Sequence, residues 1–248
     1  MEETELPVGI EGGSEEAGTP GPVIGTLQES DLHRGLKAYY EPDETRWEQP
    51  LGRFVADISD GGRAVEIQTG NFSALREKLA YYREAGITVR VVYPVRVKKQ
   101  LIWQNEQGEF LRVSAGRREK PIRFLEELYA VCGWFDFSFC SFDLAYVAVT
   151  EHRVSYPSRA YGKRKRLNTV LDGVEKIDHF AAPWDFLRLL PEELPQPFTR
   201  ADLRKTAKIH ERTAAYACLA LEKLGVLRRA GKRGRAFLYE RVDSTEPA

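Results

Sequence analysis

The sequence predicts an α/β protein, a mixed sheet flanked by helices, followed by a small α+β unit. Three observations point there. Residues 54–58 and 63–69 are β-branched and aromatic enough for two strands, with Ser59-Asp60-Gly61-Gly62 as turn chemistry between them. An amphipathic helix over 74–84 leads to the nearly continuous apolar strand 88–95, a strand–helix–strand unit whose strands should run parallel. After residue 183 the pattern becomes helix, helix, turn, helix and a basic hairpin.

In chain order, residues 1–27 are rich in Glu, Gly, Pro and Ser and are expected to be a disordered acidic tail. Residues 1–31 hold eight acids and no Lys or Arg, so the formal charge of zero conceals a body of net +8 over 32–248. Ser30 is placed to cap a helix through Tyr40 with Leu32 and Leu36 on its apolar stripe. His33 and Lys37 fall one turn apart on another face, the spacing of a solvated pair. Residues 45–49 make a first strand, turned at Pro50-Leu51-Gly52, and bring Glu48 near the following hairpin.

That hairpin carries the chemistry. With Gly61-Gly62 as its loop, partner numbers sum to 123 and Asp57 lies opposite Glu66; with Asp60-Gly61 the pairing slides by two, and a three-residue loop would break the register. Glu66 and Gln68 share a face about 6.7 Å apart, while Val65, Ile67 and Thr69 turn to the core. Two facing carboxylates with β-carbons about 5 Å apart repel by about 3 kcal/mol at an effective dielectric near 20. Protonation, a nearby base or a divalent cation would offset this, and carboxylate oxygens are what Mg²⁺ prefers. The alternative is a pair of solvated acids on an exposed sheet face.

Beyond the hairpin, Asn71 or Ser73 is the cap of helix 74–84, with Leu75 and Leu79 inward and Arg76, Lys78 and Arg83 on or near its wet side. Gly86 stops it, and Pro94 is expected to end the next strand. A second hairpin over 98–105 and 109–113 turns at Gln107-Gly108, helix 120–132 follows, and 135–150 reads as one or two strands. The stretch SRAYGKRKR, residues 158–166, reads as a basic loop whose Lys163, Arg164, Lys165 and Arg166 suit phosphate contacts. A nuclear-localisation-like signal and a solvated turn are its other readings. Helix 183–194 precedes Thr199, whose pairing with Asp202 makes a capping-box start to a helix ending at 207. A helix over 210–224 and the hairpin 226–240 close the chain, leaving 243–248 as a tail.

Asp57, then Glu66-Ile67-Gln68 on the next strand, then an amphipathic helix and strand, resemble the PD-(D/E)XK nuclease core in a D…ExQ variant. The resemblance implies a restriction-endonuclease-like sheet over 28–182. It also implies that Asp57, Glu66 and, as an auxiliary ligand, Glu48 bind Mg²⁺ or Mn²⁺ while Gln68 orients the attacking water. Gln68 stands where that family usually has lysine, and an amide brings no positive charge. Residues 183–242 resemble a winged helix-turn-helix domain. That likeness implies DNA as partner, with His210, Arg212, Thr213 and Tyr216 facing the major groove and Arg228, Arg229, Lys232, Arg233 and Arg235 as wing contacts to phosphates.

The expected function is a DNA-binding, Mg²⁺-dependent phosphodiester hydrolase of endonuclease type, its acids converging in a cleft open to solvent. A catalytically silent nuclease-fold DNA-binding protein or regulator is the alternative, and modules that both bind protein a third. A homodimer stays open. Cys132, Cys140 and Cys218 are too scattered for a zinc site or a disulfide framework and suit a reducing, cytoplasmic setting. No secretory leader is expected after Met1, and Asp136 and Asp143 interrupt the richest apolar stretch, so no membrane partner is expected.

Overall fold

The computed structural model describes residues 30–156 and 165–242. The acidic tail lies outside the described residues. Helix α1 (Asp31–Tyr40) begins as its sequence dictates, with the Ser30 hydroxyl accepting from the His33 amide and Asp31 in the positive first turn. A 3-10 turn (Glu44–Arg46) leads into β1 (Trp47–Leu51), and the meander continues through β2 (Phe54–Ser59) and β3 (Arg63–Ile67). Ile58 pairs with Val65 and Ser59 with Ala64, so the Gly61-Gly62 loop sets the register. Gly61, at φ +93°, takes the left-handed turn position that side chains resist.

The crossover runs through a 3-10 turn (Phe72–Leu75) and α2 (Arg76–Glu84) to β4 (Thr88–Gln104), which pairs parallel with β3. Neither Asn71 nor Ser73 caps the helix. The chain enters it through the 3-10 turn, and the Ser73 hydroxyl bonds the Asn71 side chain instead. Pro94 does not end β4, which runs for 17 residues. The β3 ladder stops at Ile67 and Val92, and the Gln68 amide donates to the Val92 carbonyl. Two residues on, the position of Pro94 faces the side that β3 has vacated, where a missing N–H breaks no ladder bond. The far half of β4 then takes β5 (Phe110–Ala115) as antiparallel partner.

After a 3-10 turn (Pro121–Arg123) and the short α3 (Phe124–Leu128), β6 (Cys140–Val154) runs parallel to β4, and β7 (Lys165–Phe180) returns antiparallel at the edge. Sheet order is β1-β2-β3-β4-β6-β7 with β5 beside β4, a large mixed sheet flanked by helices. The long strand β7 has no counterpart in the expectations above. Lys165 and Arg166 belong to it, so the basic stretch is not a loop to its end, and Lys163 and Arg164 lie outside the described residues.

Each face of the sheet has its own apolar layer. Leu32 and Leu36 of α1 cover Ile67, Val92, Ala145, Val147 and Val149 on one side. On the other, Phe124 meets Phe72, Tyr93 and Phe142 at ring separations of 5.4–5.8 Å and stacks on Phe186 at 6.1 Å. Phe186 belongs to a 3-10 turn (Pro183–Leu189), where a full helix was expected. The same layer continues into α4 (Arg200–Ala207) and α5 (Glu211–Lys223) and the hairpin β8 (Leu227–Arg233) and β9 (Ala236–Arg241). Thr199 and Asp202 cap α4 reciprocally, as expected. Lys208, in the left-handed conformation, makes the turn between α4 and α5.

Removing the ring at the centre of this layer should be costly: Phe124→Ala is expected to lose about 3–5 kcal/mol in chemical denaturation. A loss below about 1 kcal/mol would mean that Phe124 does not anchor this layer.

Candidate functional site

Extending the β2–β3 register, in which Ile58 pairs with Val65, by one residue sets Asp57 against Glu66. Glu48 falls between the β1–β2 pairs Trp47–Ile58 and Gln49–Ala56, at a position the ladder skips. Each carboxylate is answered by a base from a flanking helix. Lys37 of α1, itself only 2 % exposed, reaches Glu48 at 3.0 Å, and its ammonium lies 5.1 Å from the Trp47 ring centre. His33, one turn earlier, sets Nε2 3.1 Å from Asp57 Oδ2. Lys78 of α2 donates to Glu66 Oε2 at 2.7 Å, and the Tyr82 hydroxyl donates to Oε1 at 2.6 Å.

Asp57 also enters the backbone ladder. Its Oδ2 accepts the Ile67 amide at 2.7 Å, a bond that the register would otherwise direct to the Ala56 carbonyl. The carboxylate therefore wedges the ends of β2 and β3 apart. Glu66 lies opposite with none of its surface exposed.

The two acids titrate in opposite directions. Burial raises the Asp57 carboxyl, but the hydrogen bond and charge of His33, the Ile67 amide and the Lys78 charge outweigh it and hold it below the ordinary carboxylate range. Burial pushes Glu66 above that range and the Asp57 charge adds to the push, while Lys78 and Tyr82 offset only part. Burial and the Glu66 charge likewise push the Tyr82 phenol up, so it remains a donor at neutral pH.

Several expected site residues lie elsewhere. Glu48 turns out of the ladder: its backbone is left-handed, φ +50°, and its carboxylate pairs with Lys37. Gln68 lies one residue past β3 and makes no side-chain hydrogen bond among the described residues. Cavities of about 380, 210 and 570 Å³ are lined by residues other than Asp57, Glu66 and Gln68. Lys78 corrects the reading of α2, because it sits with Leu75, Leu79 and Tyr82 on the inward stripe. The signal was present in the spacing: positions 75, 78, 79 and 82 share a face, and a lysine on such a face needs an acid.

The expected DNA-contacting residues also divide. His210 is the exposed N-cap of α5. Arg212 instead pairs with Glu126 of α3 at 2.6 Å, and Tyr216 packs on Tyr129 at 5.2 Å. Thr213 is 3 % exposed and donates to Glu126, so it does not face a groove. On the β8–β9 hairpin, Arg228 pairs with Glu240 at 2.7 Å, Arg229 with Glu222 at 2.8 Å and Arg233 with Asp202. Lys232 rests over Phe237, and Arg235 is exposed. Arg166, on the edge strand β7, is exposed as well.

The family described as "Domain of unknown function (DUF8091)" matches residues 30–178, which span α1 to the end of the long edge strand. The chain belongs to that family. The meander, its three acids and all three answering bases therefore lie inside the DUF8091 region. An "Uncharacterized protein" of Treponema pallidum (strain Nichols) is 28 % identical over 227 residues, covering 88 % of each chain. That aligned length exceeds the DUF8091 match. No solved structure matches the chain. No helix among the described residues is long and apolar enough to cross a membrane.

The opposed shifts fix the signs of two substitutions. Asp57, depressed in the native state, contributes stability above the unfolded value of about 3.9 and loses it as pH falls through the native value. Asp57→Asn should therefore lower the melting temperature at pH 7, by a deficit that shrinks in acid. Glu66, raised in the native state, loses stability as pH rises through its native value. Glu66→Gln removes this titration but leaves the Lys78 ammonium without its partner, so its melting temperature should fall less steeply than that of the unsubstituted protein as pH rises above about 4. Melting curves at pH 3–8 check both, and an equally steep fall in Glu66→Gln would contradict the account of Glu66.

Proposed function

We propose that the chain is a nucleic-acid-binding, Mg²⁺-dependent phosphodiester hydrolase of the PD-(D/E)XK type. Its finer fold would be restriction-endonuclease-like over 28–182, with a winged helix over 183–242. The observation that carries this reading is Lys78. An acid, a facing acid and a lysine converge at the β2–β3 wedge, with the ammonium 2.7 Å from Glu66. The lysine missing at Gln68 is supplied from α2. The element order also supports it: a helix, an antiparallel three-stranded meander, a helix, then a strand parallel to the third.

The donor set fits Mg²⁺ or Mn²⁺ in its most economical form. Magnesium takes one or two carboxylates and completes its shell with water and phosphate oxygens, and Asp57 and Glu66 are two. Among the described residues no group of three or more His, Cys, Asp or Glu forms an all-protein cage. When bound there, the ion would supply Lewis acidity toward the scissile phosphate and lower the pKa of a water. The protein's own contribution is to hold the ligands. His33 and the Ile67 amide keep Asp57 ionised and fix Oδ2. Lys78 supports ionised Glu66, and Tyr82 fixes Oε1.

One observation favours the silent alternative, a nuclease-like fold kept for binding. Glu66 has no exposed surface, and both its oxygens already accept hydrogen bonds.

Nicking of supercoiled plasmid in Mg²⁺ or Mn²⁺ separates the two readings. Under the hydrolase reading, Asp57→Ala, Glu66→Ala and Lys78→Ala each reduce nicking about 100-fold or more, while Gln68→Ala has little effect. Metal-independent nicking, or equal nicking by the Asp57→Ala protein, would refute it. Plasmid that is bound but never cut supports the silent fold.

A further inference from the structure

Most basic side chains facing the presumed DNA are already matched by acids. Three wing arginines are paired internally, and Arg212 is held by Glu126. A different cluster is not matched. The segment over residues 117–123, between β5 and α3, forms one wall of a cavity of about 210 Å³, and the turn between α4 and α5 forms the other. Arg117, Arg118, Lys120, Arg123 and Lys208 line it and are exposed. Among the described residues none of the five has a carboxylate within ion-pair distance. The one acid in the lining, Glu119, is held by Arg96 at 2.9 Å. Lys99, also in the lining, is spent on Glu151 at 2.6 Å.

Two further features suit an anion. The Lys120 ammonium donates to the carbonyls of Ala207 and Lys208 at the end of α4, which ties the walls together. Helix α5 begins at the cavity, which its first turn lines through His210 and Thr213, and no side chain caps that helix. The uncapped amides and the positive end of the macrodipole add to the field of the five cations.

We propose that this cleft, rather than the exposed face of α5, is the site that holds the phosphodiester backbone of a nucleic acid. Five uncompensated cations exceed what one phosphate group balances. A strand with one charge per nucleotide matches a wall carrying four cations over seven residues. The proposal rests on the nucleic-acid part of the reading above and is independent of hydrolysis.

The test is fluorescence anisotropy of a labelled duplex in EDTA, titrated with the full chain at several salt concentrations. The triple variant R117E/R118E/K208E is compared with the wing variant K232E/R235E. Lys120 is left in place because it holds α4. Binding by the triple variant should weaken at least tenfold, and its log–log salt slope should flatten by up to about 2.7, about 0.9 for each lost contact. The wing variant should change less. If charge reversal prevents folding, judged by thermal melting, R117Q/R118Q/K208Q takes its place with the same flattening expected. An unchanged slope in a folded triple variant overturns the site while leaving duplex binding intact. Absence of duplex binding by the unsubstituted chain overturns both the site and the nucleic-acid reading. Displacement of duplex by 1 mM inorganic phosphate at fixed ionic strength would make it a small-anion site. Tighter binding to phosphatidylserine vesicles than to duplex, lost in the triple variant, would make it a membrane site. Either result overturns the proposal.

Discussion

The contact between Glu66 and Lys78 constrains everything around it. A carboxylate with no exposed surface cannot stay ionised beside Asp57 unless a cation lies against it, and Lys78 is that cation. Its reach fixes the position of α2 over the sheet, because Leu75, Leu79 and Tyr82 must pack on the same stripe that delivers the ammonium. On the other face, α1 answers Asp57 and Glu48 through His33 and Lys37 while Leu32 and Leu36 bury its apolar side. The two helices are thus set by apolar packing and by charge at once. A shift of either would leave a buried or half-buried acid without its partner.

The same rule of matched charge organises the C-terminal half. Glu126 of α3 takes Arg212 and Thr213, and Tyr129 takes Tyr216, so the first turns of α5 are docked on the sheet body. The arginines of the β8–β9 hairpin turn toward Glu240, Glu222 and Asp202. Surface pairs of this kind hold their partners weakly, about 0–1 kcal/mol, and phosphate can compete for them. Cations that begin without a partner need no exchange before meeting an anion. Counting basic residues along a hairpin therefore overstates its share of the positive field, and the walls of the junction understate theirs.

Much of the meander was legible because its determinants are local. Gly61-Gly62 fixes the loop, the loop fixes the register, and the register places Asp57 opposite Glu66. The capping residues Ser30 and Thr199 act within their own first turns. What escaped depends on neighbours distant in sequence. Pro94 is tolerated inside β4 only because β3 ends at Ile67, which residues 88–95 do not reveal. Thr213 and Tyr216 look like a free helix face until α3 is placed against them. Lys78 was misplaced for a different reason, since its position on the inward stripe was visible and only the habit of putting lysine in water concealed it.

The inward position of Lys78 bears on why the group exists. A buried ion pair contributes little stability compared with apolar side chains of similar volume. Here the environment holds Glu66 above its ordinary range, so its ionised form opposes folding at neutral pH. A leucine at 66 with a leucine at 78 would complete the stripe of Leu75 and Leu79 without that opposition. The wedge formed by Asp57 is similarly uneconomical, since it takes the Ile67 amide from the strand ladder and gives it to a side chain. Two acids driven to opposite protonation tendencies, a lysine drawn inward and a ladder opened between them are not accounted for by stability alone.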